Sequence, residues 1–242
     1  MRLYIIRHGD PDYTNDTLTA DGLLEAGALA ERLAPLGLDY IYSSPLGRAL
    51  ATMKATADRL GAEHRVLDWA SEITGMYMTL DGYGTFAPFN TPGELILEQD
   101  PPPGAEGWLA PPYFADERLA DKIAEIGRGS DELLREHGYE RVGGRYRCVR
   151  PNGDKVAVFC HGGLGLTWLA HLLRLPVPLV WSSFWLAPTS VTTIFMDQRS
   201  EQWAVPRCIE LGDTSHLHAA GMPVKLRGIW KERLDNQLAA EE

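Results

Sequence analysis

The chain has 242 residues and lacks several features that would place it in common protein classes. It has three cysteines, Cys148, Cys160 and Cys208, an odd number with no CxxC spacing. That argues against a disulfide framework and against the usual zinc-binding patterns. No apolar run reaches the roughly 18 residues that a membrane helix needs. The opening Met1-Arg2-Leu3-Tyr4-Ile5-Ile6-Arg7 is too short and too soon charged for a signal peptide. Together these absences predict a reducing, cytoplasmic setting. Positive charge is also scarce: 23 Lys and Arg against 33 Asp and Glu give a net charge of −10. Such a balance opposes nucleic acid and anionic membranes as partners, yet it leaves room for a small basic pocket. There is no internal repeat and no low-complexity tract.

What remains is ordinary for a globular protein, with 45% apolar and 23% charged residues. Residues 2–7 form a short apolar run and predict a buried strand. A polar loop follows over 9–17. Thr19 then stands as a helix N-cap, with Leu23, Gly27, Ala30 and Ala34 at helical spacing behind it. Residues 39–43 predict a second strand. Ser44-Pro45 reads as a helix start, running to about Leu60 with Gly61 as its stop. Residues 65–68 predict a third strand. A long helix is expected over 115–138. Strands at 139–150 and 155–160 read as a pair around the turn 151–154. A helix over 163–175, strands at 190–196 and 202–210, and a surface helix in the tail from Lys225 follow. Strands alternating with helices predict one α/β domain with a mostly parallel sheet.

Residues 75–112 break this alternation. They hold seven of the 16 prolines and six glycines, together with Tyr77, Tyr83, Phe86, Phe89 and Trp108. Disordered linkers are poor in aromatics, so the stretch reads as ordered: an insertion or lid of about 75–115, or a loop packed on the flank.

Four predicted strands end in, or are followed by, residues of functional type. They are Arg7-His8, Ser43-Ser44 with Arg48 beyond, Glu72 after the third strand, and His161 after the strand at 155–160. In an open parallel sheet, ligands bind outside the carboxyl ends of the strands. Two guanidiniums can fork around phosphate oxygens, and two helix N-termini can face them. An imidazole can attack phosphorus while a carboxyl protonates the departing oxygen. Each residue taken singly also fits a structural role, a surface charge or a satisfied histidine; it is the joint placement that points to chemistry.

Arg7-His8-Gly9 after an N-terminal strand resembles the signature of the histidine phosphatase superfamily, in its phosphoglycerate-mutase-like branch. Leu18-Thr19-Ala20-Asp21-Gly22 resembles its LTxxG helix start. Ser43-Ser44-Pro45-Leu46-Gly47-Arg48-Ala49 resembles its SSPxxRA segment. Val158-Phe159-Cys160-His161-Gly162-Gly163 resembles its late strand. The likeness spans residues 2–74 and about 155–196. It implies a three-layer α/β/α fold over residues 1–242, with a helical tail at about 225–242. It also implies a phosphatase acting on a small phosphomonoester without metal or cofactor. His8 would be the nucleophile and Glu72 the proton donor; Arg7, Arg48, His161 and Asn15 would bind phosphate.

Two departures stand out. The loop before Thr19 is shorter than usual, and Ser71-Glu72-Ile73-Thr74-Gly75 lacks the usual glycine and tryptophan. Glu94 and Asp81 therefore stand as alternative proton donors. The same residues would also serve a phosphomutase, or a phospho-ligand binding module without catalysis. Gly162, Gly163 and Gly165 are not followed by the Gly-Lys-Ser/Thr of a P-loop. Cys160 should point away from the face that His161 uses. His216 and His218, close to Asp213, read as a satisfied loop pair rather than metal ligands, and Trp181 with Trp185 as packing. The sequence does not fix an oligomeric state or a particular ester.

Overall fold

Strand β1 (Arg2–Arg7) reads RLYIIR, and its alternate side chains enter two different apolar layers. Tyr4 and Ile6 join one core and Leu3 and Ile5 the other, as the period of two requires. That alternation sets the layering of the whole molecule in the computed structural model, which describes residues 1–98, 100–104, 108–109, 114 and 116–227.

After β1 the chain makes a small antiparallel pair, β2 (Pro11–Asp12) and β3 (Thr17–Leu18). Helix α1 (Ala20–Leu33) starts where Thr19 Oγ1 accepts the Gly22 N–H at 3.0 Å, the expected N-cap. Strand β4 (Tyr40–Ser43) and helix α2 (Gly47–Leu60) follow, and Gly61 ends α2 in the left-handed region at φ +59. Strand β5 (Arg65–Val66) leads into a 3-10 turn, Asp68–Ala70. The proline-rich stretch contains a hairpin of β6 (Met78–Leu80) and β7 (Gly84–Phe86), a 3-10 turn Pro88–Asn90 and the short helix α3 (Gly93–Leu97). Phe86, Ile96, Trp108 and Phe114 are buried there. Trp108 meets Phe114 and Trp181 edge to face, with ring centres 5.3 and 5.7 Å apart.

Helix α4 (Glu117–Glu136) is capped by Asp116. Strands β8 (Tyr139–Val142), β9 (Arg145–Cys148) and β10 (Lys155–Cys160) precede helices α5 (Gly162–Leu173) and α6 (Val177–Ser183). Strands β11 (Val191–Gln198) and β12 (Trp203–Asp213) and the single turn of α7 (Ser215–Ala219) complete the described elements. The main sheet has the order β5-β4-β10-β1-β11-β12-β9-β8. From β5 to β1 all neighbours are parallel; from β1 to β8 all are antiparallel. Helices α1 and α2 bury Leu29, Leu33, Met53 and Ala57 on one face. Helices α4 and α5 bury Ile126, Leu133, Trp168 and Leu169 on the other. This is the expected α/β arrangement of a central sheet between helical layers.

Several local expectations need correction. Strands 139–150 and 155–160 do not pair. The chain reverses earlier, at Gly143 with φ +61, so β8 pairs with β9. The wholly apolar run of β10 goes instead to the centre of the sheet, between β4 and β1. Helix α2 begins at Gly47, not at Pro45, because Ser44 Oγ accepts the Leu46 N–H at 3.2 Å and holds a turn ahead of the helix. The third strand closes after Val66. An additional helix, α6, follows Arg174, which is left-handed at φ +57. The buried face of α1 carries Gly22, Glu25, Ala26, Leu29, Ala30 and Leu33. Leu23 is 57% exposed, because Glu25 turns inward to accept the Asp10 N–H at 2.7 Å and sets the rotation of the helix. Residues 225–227 are irregular, and the rest of the expected tail helix lies outside the described residues. Among the described residues no helix is long and apolar enough to cross a membrane.

The rotation of α1 is directly testable by urea denaturation. Leu29→Ala, which empties a fully buried site, should cost about 2–5 kcal/mol. Leu23→Ala should change stability by no more than about 0.5 kcal/mol. Equal losses would show that the helix presents the other face.

Candidate active site

The parallel register places three strand ends at one level. Arg7 lies opposite Cys160, and the His8 N–H donates to the Cys160 carbonyl at 2.9 Å. Phe159 lies opposite Ser43, and the Ser44 N–H donates to the Phe159 carbonyl at 2.8 Å. His8, Ser44 and His161 therefore emerge side by side where the sheet ends.

His8 and His161 are buried, with ring centres 5.2 Å apart. His8 Nδ1 lies 2.7 Å from the Gly9 carbonyl, which can only accept. This fixes the proton on Nδ1 and leaves Nε2 as the acceptor of the ring. Arg48 Nε donates towards that Nε2 at 3.3 Å. The Gly9 N–H donates to Thr52 Oγ1 at 3.0 Å, so α2 anchors the loop that presents His8. His161 Nε2 meets Ser44 Oγ at 2.7 Å. Burial lowers the pKa of His8 well below its usual 6.5, and the positive charges of Arg7 and Arg48 push the same way. Burial likewise lowers His161, assisted by His8, Arg48 and Arg7. Both rings are therefore neutral at neutral pH.

Arg48 is buried in the first turn of α2, where Asp16 accepts from its Nη1 at 2.6 Å. Asp16 also accepts the Gly47 N–H at 2.7 Å and is itself left-handed, with φ +46. Gly47 is required here: a Cβ would stand 2.1 Å from the Asp16 carbonyl oxygen. Arg7 Nη1 donates to the Leu186 carbonyl and, at 3.1 Å, to the Arg227 carbonyl. Its Nε is buried without a partner among the described residues, as is Nδ1 of His161.

Glu72 spans the start of α5. Its carboxylate accepts the N–H groups of Gly163 at 3.0 Å, Leu164 at 2.7 Å and its neighbour Ile73 at 3.0 Å. The residue keeps partial solvent access. Burial of the carboxyl nevertheless dominates and raises its pKa above the usual 4.5, against the three N–H donors and Arg7. Phe89, from the proline-rich stretch, packs on Gly163; a Cβ there would lie 2.3 Å from the Phe89 ring.

The structure thus brings together Arg7, His8, Arg48, Glu72 and His161. It does not bring in Asn15, which is exposed and donates to Asp12 at 2.7 Å. The shortened loop turns Asp16 towards Arg48 in its place. Asp81 is exposed in the hairpin turn. Glu94 is exposed and accepts from the Tyr83 hydroxyl at 2.5 Å. Tyr13 was also missed from sequence: its ring lies 5.6 Å from the Arg48 guanidinium carbon, and its hydroxyl faces Arg7. Cys160 is buried on the opposite face, and burial raises its thiol pKa. His216 is buried, with Nε2 3.0 Å from Thr189 Oγ1. Among the described residues no cluster of three His, Cys, Asp or Glu is arranged to hold a metal ion.

Arg7, His8 and His161 stand at the carboxyl ends of parallel strands, with Arg48 from the first turn of α2 and the Glu72 carboxyl beside them, an arrangement that suits an anion. This chain matches the branch 1 family model of the histidine phosphatase superfamily over residues 3–79. It is 32% identical over 72 residues to the probable phosphoglycerate mutase GpmB of Enterobacter sp. (strain 638). That stretch is 26% of this chain, and the match spans about a third of the relative's length, 34%. Among solved structures it resembles the phosphoserine phosphatase of Entamoeba histolytica bound to 3-phosphoglyceric acid. The TM-score is 0.59 and the identity 21%, over 89% of this chain and 98% of that one. It also resembles the mycobacterial glucosyl-3-phosphoglycerate phosphatase in complex with VO3, at TM-score 0.55 and 23% identity over 86% and 97% of the two chains. A third is the alpha-ribazole phosphatase of Shigella flexneri, at TM-score 0.56 and 19% identity over 88% and 97%. At these identities the likeness is one of fold.

The protonation states can be read directly. In long-range proton–nitrogen NMR near about pH 6, His8 should show the neutral Nδ1–H pattern and His161 should also be neutral. An imidazolium signature on His8 at that pH would overturn the assignment.

Proposed function

We propose that the protein hydrolyses a small phosphomonoester through a phosphohistidine on His8. The observation that carries this reading is the set of groups gathered at one point. They are the unpartnered Arg7 Nε and the unpartnered His161 Nδ1, together with the Nε2 lone pair of His8, which Arg48 Nε engages at 3.3 Å. Buried polar groups without partners are rare, and those that occur call for an explanation. A phosphoryl group would satisfy all three at once.

In this reading, His8 Nε2 attacks phosphorus as the bond to the ester oxygen breaks. The Gly9 carbonyl, accepting from Nδ1, stabilises the positive charge that develops on the ring. Arg7, Arg48 and His161 surround the three outer oxygens with fixed donors, which stabilises charge where it builds up. Glu72, raised by burial, supplies the proton to the departing oxygen and becomes a carboxylate held by three N–H groups. Water then attacks the phosphohistidine, with Glu72 taking the proton back. No step calls for a metal or an organic cofactor. Phe89 forms the wall beside Glu72 by packing on Gly163. The matched relative named as a mutase supports an alternative acceptor, a second hydroxyl in place of water.

The test is phosphate release from p-nitrophenyl phosphate, with a chelator present and no bisphosphoglycerate added. His8→Ala should lose at least about a thousandfold in kcat/KM. Turnover that survives this change would overturn the mechanism. Release that appears only with bisphosphoglycerate would favour the mutase.

A pH profile tests the two protonation states together. His8 must be neutral, so activity rises with pH as it loses its proton, below its usual 6.5. Glu72 must be protonated, so activity falls as it ionises, above its usual 4.5. The profile of kcat/KM should be bell-shaped with an acidic optimum, and Glu72→Gln should lose about 10²–10⁴-fold together with the alkaline limb. A flat profile from about pH 4 to pH 8 would overturn both roles.

A further inference from the structure

A cleft of about 350 Å³ adjoins the site, bounded by Phe89 and Asn90 on one side and by Leu166, Trp181, Phe184 and Trp185 on the other. Each wall is linked to the catalytic centre through one intermediate group. Phe89 packs on Gly163, whose N–H is held by Glu72. Trp185 Nε1 donates to the Arg227 carbonyl at 3.2 Å, the same oxygen that accepts from Arg7. The Leu186 carbonyl, one residue on, also accepts from Arg7. The cleft is thus joined to the site at two points, through Gly163 to the proton donor and through the Arg227 carbonyl to Arg7. A leaving group protonated by Glu72 on the side of Phe89 would extend into the cleft.

Its chemistry is selective. None of the described lining residues is charged; they are aromatic and aliphatic side chains with small hydroxyl and amide groups. A leaving group carrying a carboxylate or a second phosphate would lose its hydration there and gain no cation. A flat, uncharged ring would bury its faces against Phe89, Phe184 and Trp185.

We propose that the substrate's leaving group is an uncharged aromatic alcohol and that this cleft selects it; the inference rests on the phosphatase reading above. The test compares 2-phenylethyl phosphate with ethyl phosphate and 3-phosphoglycerate, whose departing alcohols are of similar basicity. The phenylethyl ester should exceed both in kcat/KM by about tenfold or more. The ratio of phenylethyl to ethyl ester should fall towards one in Phe184→Ala and Trp185→Ala. Preference for 3-phosphoglycerate, or a ratio unmoved by either substitution, would overturn the proposal. If none of the esters turns over, the hydrolase reading fails, and saturation-transfer NMR with 2-phenylethanol judges the cleft by itself. Transfer to the ring protons in the wild type that is lost in Phe184→Ala supports the cleft; no transfer overturns it.

Discussion

The parallel register of β1, β10 and β4 is the constraint on which everything else depends. A one-residue slip in any of these strands would turn its terminal side chain to the other face of the sheet. His8, Ser44 and His161 come from positions far apart in sequence, and no local interaction would bring them together. What does so is the backbone ladder, which continues just past the strands through the His8 and Ser44 N–H groups. The apolar filling of both layers, down to Tyr4 and Ile6 on one side and Leu3 and Ile5 on the other, holds that ladder in place.

Once the strand ends are aligned, burial does the electrostatic tuning. It keeps two imidazoles neutral beside two guanidiniums and keeps a carboxyl above its usual pKa beside a helix N-terminus. These shifts run in opposite directions on the pH scale, yet one cause, the loss of water, produces both. Asp16 and the carbonyls of Leu186 and Arg227 then hold the arginines in place.

The parts of this site that sequence revealed were those set by short, contiguous patterns. Arg7-His8-Gly9 follows a strand that declares itself by apolarity, and Thr19 declares its helix by capping. His161 ends a strand with no polar interruption. The parts it hid were set by contacts across the fold. Glu25 is a carboxylate on an expected polar face, and only the Asp10 N–H explains its burial and the rotation of α1. Asp16 and Asn15 are adjacent and chemically similar in reach, and the left-handed turn at Asp16 decides which one meets Arg48. Phe89 lies in a stretch with no periodicity, and Trp185, at helical spacing from Trp181 and read as packing, falls beyond the end of α6, so their place on the cleft walls becomes visible only once α5 and α6 are packed.

Asp10 shows how late such a site is finished. Its carboxylate is buried and accepts from Thr19 nearby, but also from Lys225 at 3.3 Å and from Arg227 Nε at 2.6 Å, across 217 residues of chain. The same Arg227 closes on Arg7 through its carbonyl. On a ribosome, the first strand and its histidine exist long before those partners do. Among the described residues, the carboxyl end of β1 therefore gains its last neighbours only after residue 227 has emerged, and until then Asp10 stays hydrated and Arg7 lacks one of its two carbonyl partners.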